Sequence, residues 1–217
     1  MKIRPILFST PMVQSISENR KTQTRRTQGL EIINEEPERY MISKDGDIFN
    51  VDDLDTLQEF ELSPKVKAGD ILWVRETFGI DFFLSSMGTQ YCYRANKLDS
   101  KPPDGWKPSR FMPKAACRLF LEVTNVRVER LQDISEEEAK SEGIYAKPGS
   151  VSGRVWYRKF IKAREARIDG LFTESAKECF QSLWQSINGK ESWEANPFVF
   201  VYDFKIVDRP NNFLNNN

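Results

Sequence analysis

The stretch Gly69-Asp70-Ile71-Leu72-Trp73-Val74-Arg75-Glu76-Thr77-Phe78 decides the fold class. A Gly-Asp turn feeds a run of large apolar residues dense enough for a strand buried in a sheet. Shorter runs of the same kind lie on both sides of it. Toward the N-terminus, residues 3–8 read as a strand, and Thr10 can cap a brief helix with Pro11 in its first turn and Val13 and Ile16 on its apolar stripe, ending near Asn19. In Arg20-Lys21-Thr22-Gln23-Thr24-Arg25-Arg26 the threonines alternate with Gln23 and Arg25, a period-two pattern that puts this segment on a strand or at its beginning.

Toward the C-terminus, Gln90-Tyr91-Cys92-Tyr93-Arg94 is a further strand, and residues 118–131 form a long strand or a bent pair. There Leu119, Leu121 and Val123 are expected on the core face, with Phe120, Glu122 and Thr124 on the other. Ser135 with Glu138 makes a capping box and Gly143 a stop, so 136–142 is a short helix with well-marked ends. An amphipathic helix follows over about 174–187, with Ala176, Phe180, Leu183, Trp184 and Ile187 on one face. Alternating aromatics in Phe198-Val199-Phe200-Val201-Tyr202-Asp203-Phe204-Lys205-Ile206 give the last strand.

Strands spaced too irregularly for βαβ units predict an α+β fold: a small β-barrel decorated with short helices and carrying two insertions. The 217 residues suffice for one domain over 1–209, interrupted at about 28–67 and 145–169 and followed by a flexible tail at 210–217. Lys44-Asp45-Gly46-Asp47 reads as a turn within the first insertion, and Arg154, Arg158, Lys159, Lys162, Arg164 and Arg167 make the second one basic. Four prolines make 101–113 a loop.

Composition narrows the chemistry. The chain has no histidine, which excludes imidazole acid–base catalysis, a histidine-dependent nucleophile and histidine-ligated metals. Its 32 basic and 32 acidic residues cancel, so any hold on a polyanion comes from a local patch. Cys92, Cys117 and Cys179 are odd in number and widely spaced, which suits packing better than a disulfide framework or a zinc cluster. No run is long enough to span a bilayer and the opening residues do not resemble a signal peptide, so a cytoplasmic protein without membrane, metal or cofactor is expected.

Five blocks together resemble the ASCH domain family in its phage and prophage form: the segment 20–26, the stretch 69–77, Phe111-Met112-Pro113, Val126-Arg127-Val128-Glu129-Arg130-Leu131-Gln132-Asp133-Ile134, and Asn196-Pro197-Phe198. The resemblance spans nearly the whole chain outside the insertions and tail. It implies a PUA-like barrel with a cleft walled by the basic segment and the short acidic helix, and a nucleoside or RNA as partner. One small member type, the bacterial N4-acetylcytidine amidohydrolase, uses a Lys, a Thr and a Glu. Its Arg-Lys-Thr-x-Thr motif matches here at Lys21 and Thr24, and its glutamate corresponds to Glu142.

Lys21, Thr24 and Glu142 are therefore the expected catalytic residues. A lysine whose charge is disfavoured by apolar walls and neighbouring arginines can serve as base for the Thr24 hydroxyl, while Glu142 orients it or protonates the leaving amine. Arg20, Arg25, Arg26 or a backbone N–H would hold the oxyanion. A regular strand sends Lys21 and Thr24 to opposite faces, so a bulge is required, and Thr22 competes as nucleophile if the register differs. Arg20, Thr22, Arg25, Arg26, Trp73, Arg75 and Glu76 are the expected substrate contacts. The plainer alternatives are a solvated basic strand edge at 20–26, a solvent-facing carboxylate at Glu142, and an ion pair at the strand end for Arg75 and Glu76. A non-catalytic binding module and an RNA-cleaving enzyme using Lys and Glu are the competing functions.

Overall fold

The structure, a computed structural model, describes residues 1–43, 48–51, 64–81, 90–96, 102, 104–148, 155–159 and 172–214. It is mixed α+β, with a core made mostly of sheet. The chain runs through β1 (Ile3–Leu7), α1 (Thr10–Ser17), β2 (Gln23–Arg26), α2 (Glu31–Glu35), β3 (Tyr40–Ile42) and β4 (Ile48–Asn50). Then come β5 (Ile71–Arg75), β6 (Phe78–Asp81), β7 (Gln90–Tyr93), β8 (Phe120–Arg130) and α3 (Glu136–Ser141). Last are β9 (Ala146–Pro148), β10 (Val155–Arg158), β11 (Phe172–Thr173), α4 (Ala176–Asn188) and β12 (Phe198–Val207).

The largest sheet has the order β1-β5-β8-β12-β2. β1 lies parallel to β5, with Ile3 opposite Ile71 and Leu7 opposite Arg75. β5 is antiparallel to β8, and β12 to β2. The order ends at β1 and β2, and no closed barrel forms among the described residues. The chain divides into two compact units: Met1–Asn19, Val66–Thr124 and Phe204–Asn217 in the first, and Arg20–Lys65 and Asn125–Asp203 in the second.

In the first unit the core gathers Ile71, Trp73, Phe78, Met112, Cys117, Phe120 and Phe213. Phe120 and Leu121 are both buried, although consecutive strand residues face opposite ways. Apolar residues cover this end of β8 on either side, so the single core face expected from alternation fails there. Phe120 meets the edge of Phe213 at 4.8 Å between ring centroids. The tail, expected to hang free from 210, instead turns at Pro210 and returns Phe213 to the core.

The second unit packs α3 and α4 on a cluster that includes Leu131, Ile134, Phe180, Trp184, Trp193, Val199 and Val201. The capping box forms as expected: Ser135 Oγ accepts from the Glu138 N–H, and Glu138 Oε2 accepts from the Ser135 N–H at 3.0 Å. α4 starts after the cap Ser175 and buries Ala176, Cys179, Phe180 and Trp184, while Ile187 is exposed. Within the first expected insertion lies α2, unheralded by periodicity because it has only one turn. Its Asn34 donates to the Phe198 carbonyl and accepts from the Phe198 N–H, anchoring it beside β12. The expected turn at 44–47 lies outside the described residues, as do Arg154, Lys162, Arg164 and Arg167. No helix among the described residues is long and apolar enough to cross a membrane.

Candidate functional site

The site lies in the second unit, where the segment before β2 meets the end of α3. Gly143 ends α3 in the left-handed region at φ 90°, a conformation that favours glycine, and its N–H bonds the Lys140 carbonyl. This turn presents Glu142 to the chain entering β2. Lys21 and Glu142 form an isolated antiparallel bridge, reinforced by the Thr22 N–H on the Ser141 carbonyl at 2.9 Å.

Lys21 is 2% exposed and Glu142 5%. The Lys21 ammonium donates to Glu142 Oε2 at 2.6 Å, to the Glu142 carbonyl at 2.9 Å and to the Gln23 carbonyl at 2.8 Å. The charged amine thus has an acceptor for each of its three protons. One of them is a carbonyl at the helix C-terminus, where the macrodipole favours a cation. Burial draws its pKa below the usual lysine value; Glu142 opposes that shift, while Arg26 and Arg25 add to it. At this separation a proton passed to Glu142 leaves a neutral amine beside a carboxylic acid, which is the base-and-acid pair that amide cleavage needs.

Arg25 is also buried and serves three carboxylates. It bonds Glu129 at 2.9 Å and Glu142 at 3.2 Å, and lies 3.4 Å from Glu138. Its other partner, the Gln23 amide oxygen at 2.7 Å, belongs to a side chain that donates to Asp203 at 2.6 Å. Arg127 pairs with Glu129, Glu138 and Asp203. Four carboxylates are therefore interleaved with Lys21, Arg25 and Arg127, and Arg26 stands close enough to feel the charge of Glu142. The expectation of a solvated basic strand edge fails for Lys21 and Arg25. The solvent-facing alternative for Glu142 fails with it.

Thr24 and Arg26 take the alternate positions of β2 from Gln23 and Arg25. Thr24 is 0% exposed, lies opposite Tyr202 in register, and accepts from the Arg26 guanidinium at 2.6 Å. Thr22 is exposed. The structure thus brings Lys21 to Glu142 and Arg25, and sets the Thr24 hydroxyl with Arg26. Burial raises the Tyr202 phenol to about 12, with Arg26 pulling the other way.

Arg20 donates to the Gly143 carbonyl at 3.3 Å, and its guanidinium lies 4.9 Å from the centre of the Tyr145 ring. Tyr145 is 56% exposed. Sequence reasoning missed it by assigning it to the start of an insertion. The signal was its place three residues after Glu142, beyond a glycine stop. An exposed aromatic with an arginine beside it offers a surface on which a base can stack.

Trp73, Arg75 and Glu76 belong to the first unit. Trp73 is buried, edge-on to Phe213, with the Arg75 guanidinium 5.4 Å from its ring centre. Glu76 does form an ion pair, but with Arg118 rather than Arg75, through bonds of 2.8 and 3.0 Å. Arg75 donates instead to the Arg110 carbonyl. Tyr93 is likewise committed, donating to the Ala116 carbonyl at 2.6 Å under the Arg118 guanidinium. Cys117 and Cys179 are buried and free, and burial raises their thiols to about 11 and about 12. Among the described residues no group of three or more His, Cys, Asp or Glu is arranged to hold a metal ion.

No family model, no curated protein and no solved structure matches the chain.

Proposed function

We propose that this chain is an ASCH-type protein of PUA-like fold that binds a modified nucleoside or RNA and removes the acyl group from N4-acetylcytidine or a related pyrimidine nucleoside. The observation that carries this reading is the meeting of Lys21 and Glu142, 121 residues apart, in a buried 2.6 Å contact. The sheet-dominated core with short helices supports the fold assignment. A nucleoside or RNA ligand and the free thiols of Cys117 and Cys179 both suit the cytoplasm.

In this reading Lys21, with its proton resting on Glu142, takes the proton of the Thr24 hydroxyl as that oxygen attacks the acetyl carbonyl. Arg26, already bonded to Thr24 Oγ1, stabilises the negative charge that develops on the carbonyl oxygen. The C–N bond then breaks, the amino group of cytidine leaves with a proton from the Lys21–Glu142 pair, and water cleaves the acetyl ester to give acetate and free Thr24. Tyr145, with Arg20 against it, carries the pyrimidine ring.

A second reading, a binding module without turnover, is favoured by the full burial of Thr24 and the three acceptors already on Lys21. Incubating the purified protein with N4-acetylcytidine and following cytidine and acetate separates the two. Turnover that falls at least a hundredfold in Lys21→Ala, Glu142→Gln and Thr24→Val supports the enzyme. Loss in Thr22→Ala with retention in Thr24→Val moves the nucleophile to Thr22. Nucleoside binding with no product leaves only the binding module.

A further inference from the structure

We propose a separate phosphate-binding pocket in the first unit, built at the β1–β5 edge and closed by the returning tail. The cavity is about 450 Å³, within the usual range for small-molecule sites. Lys2, Arg4 and Lys114 line it together with Trp73 and Phe213. No carboxylate stands among the lining residues, in a chain whose overall charge is zero.

The aromatic rings carry further positive charge. Arg75 stands 5.4 Å from the Trp73 ring centre and Arg209 stands 5.6 Å from that of Phe213. Asp70, the acid that Arg4 approaches, is already engaged. Its Oδ1 accepts from the Lys2 N–H at 2.6 Å and its Oδ2 from the Lys67 N–H at 3.2 Å. Arg4 approaches Asp70 only to 3.7 Å, and its buried Nε has no hydrogen-bond partner. The Arg4 side chain is 34% exposed, and its guanidinium has further N–H donors to offer an anion in the cavity.

The chemistry points to a phosphate monoester. Its two or three oxygens suit an arginine and two lysines, and Trp73 and Phe213 give an apolar wall for the attached sugar. Arginines already lie against both rings, so the pocket reads the phosphate and not the identity of a base. That separates it from the proposed nucleoside site, which uses other residues in the other unit.

Calorimetric titration of the whole chain tests this with AMP, adenosine, inorganic phosphate, and an oligoribonucleotide with or without a 5′-phosphate. AMP is expected to bind at least tenfold tighter than adenosine, and GMP within about threefold of AMP, as phosphate-led recognition requires. Lys114→Met and Arg4→Met each weaken AMP at least tenfold. The lysine variant guards against a fold defect from disturbing Asp70. Binding of the 5′-phosphorylated oligomer without AMP assigns the same phosphate to an RNA end, and binding of inorganic phosphate alone assigns it to the free ion. Adenosine bound as tightly as AMP, no phosphate-bearing probe bound at all, or phosphate binding untouched by Lys114→Met and Arg4→Met overturns the proposal, whatever the fate of the deacylase reading.

Discussion

Glu76 in the first unit and Glu142 in the second are both carboxylates almost wholly withdrawn from water, and they are held in different ways. Glu76 has a bidentate partner in Arg118, whose side chain is 30% exposed, so water can reach the pair from the arginine side. Glu142 has Lys21 and Arg25 as partners, and their side chains are 0% and 1% exposed. The first arrangement fastens a strand end. The second keeps several ions in a medium where desolvation rivals their attraction, and apolar residues of similar size would serve stability as well or better. A cluster of this kind points to a use beyond holding the fold.

The sharpest way to break the comparison is Glu142→Ala. It strands the Lys21 ammonium among carbonyls and takes one of three carboxylates from Arg25, and a loss of about 3–5 kcal/mol is expected in denaturant unfolding. Lys21→Met leaves Glu142 still neutralised by Arg25 and should cost less, about 1–2 kcal/mol. Equal losses in the two variants would mean that Arg25 does not share the carboxylate. Between the two falls Arg118→Ala, where hydration of Glu76 limits the loss to about 1–3 kcal/mol.

Alkaline titration sets the buried lysine of the second unit against the buried thiols of both. Cys117 and Cys179 have folded values above the ordinary thiol value of 9.0, at about 11 and about 12, so the stability they contribute is present below 9.0 and is lost as pH rises through those values. Lys21 is displaced the other way. Above its lowered folded value and up to 10.5, the unfolded lysine keeps a proton that the buried one has released, so stability gains with pH there. Lys21→Met removes this opposing gain, and its unfolding free energy should fall more steeply than the parent's as pH rises from the ordinary thiol value of 9.0 toward 10.5. The smallest effect belongs to Arg127→Ala. Its guanidinium is a third exposed, and the loss should stay within about 1 kcal/mol and shrink in high salt.

Much of this was legible in the residues. The capping box at Ser135 and the glycine stop at Gly143 fix α3 from local chemistry, and the density of large apolar residues at 71–75 marks β5. The meeting of Lys21 with Glu142 came from the resemblance, since nothing in their spacing announces it. The carboxylates around Arg25 were half legible: Arg127 and Glu129 alternate on β8, but their convergence with Asp203 depends on tertiary pairing. Phe213 was misread because an aromatic among asparagines gives no period to follow. Only the packing against Trp73 and Phe120 reveals its place.

The bridge between residues 21 and 142 also bears on how the molecule comes into being. A loop of 121 residues must close before the pair can meet, and Gln23 finds Asp203 across a separation of 180. Loop-closure entropy and high contact order make such pairings late events. During synthesis β2 waits for β12, the strand it pairs with, until the long stretch between them has left the ribosome, so the ionic cluster assembles late in folding and not as its nucleus.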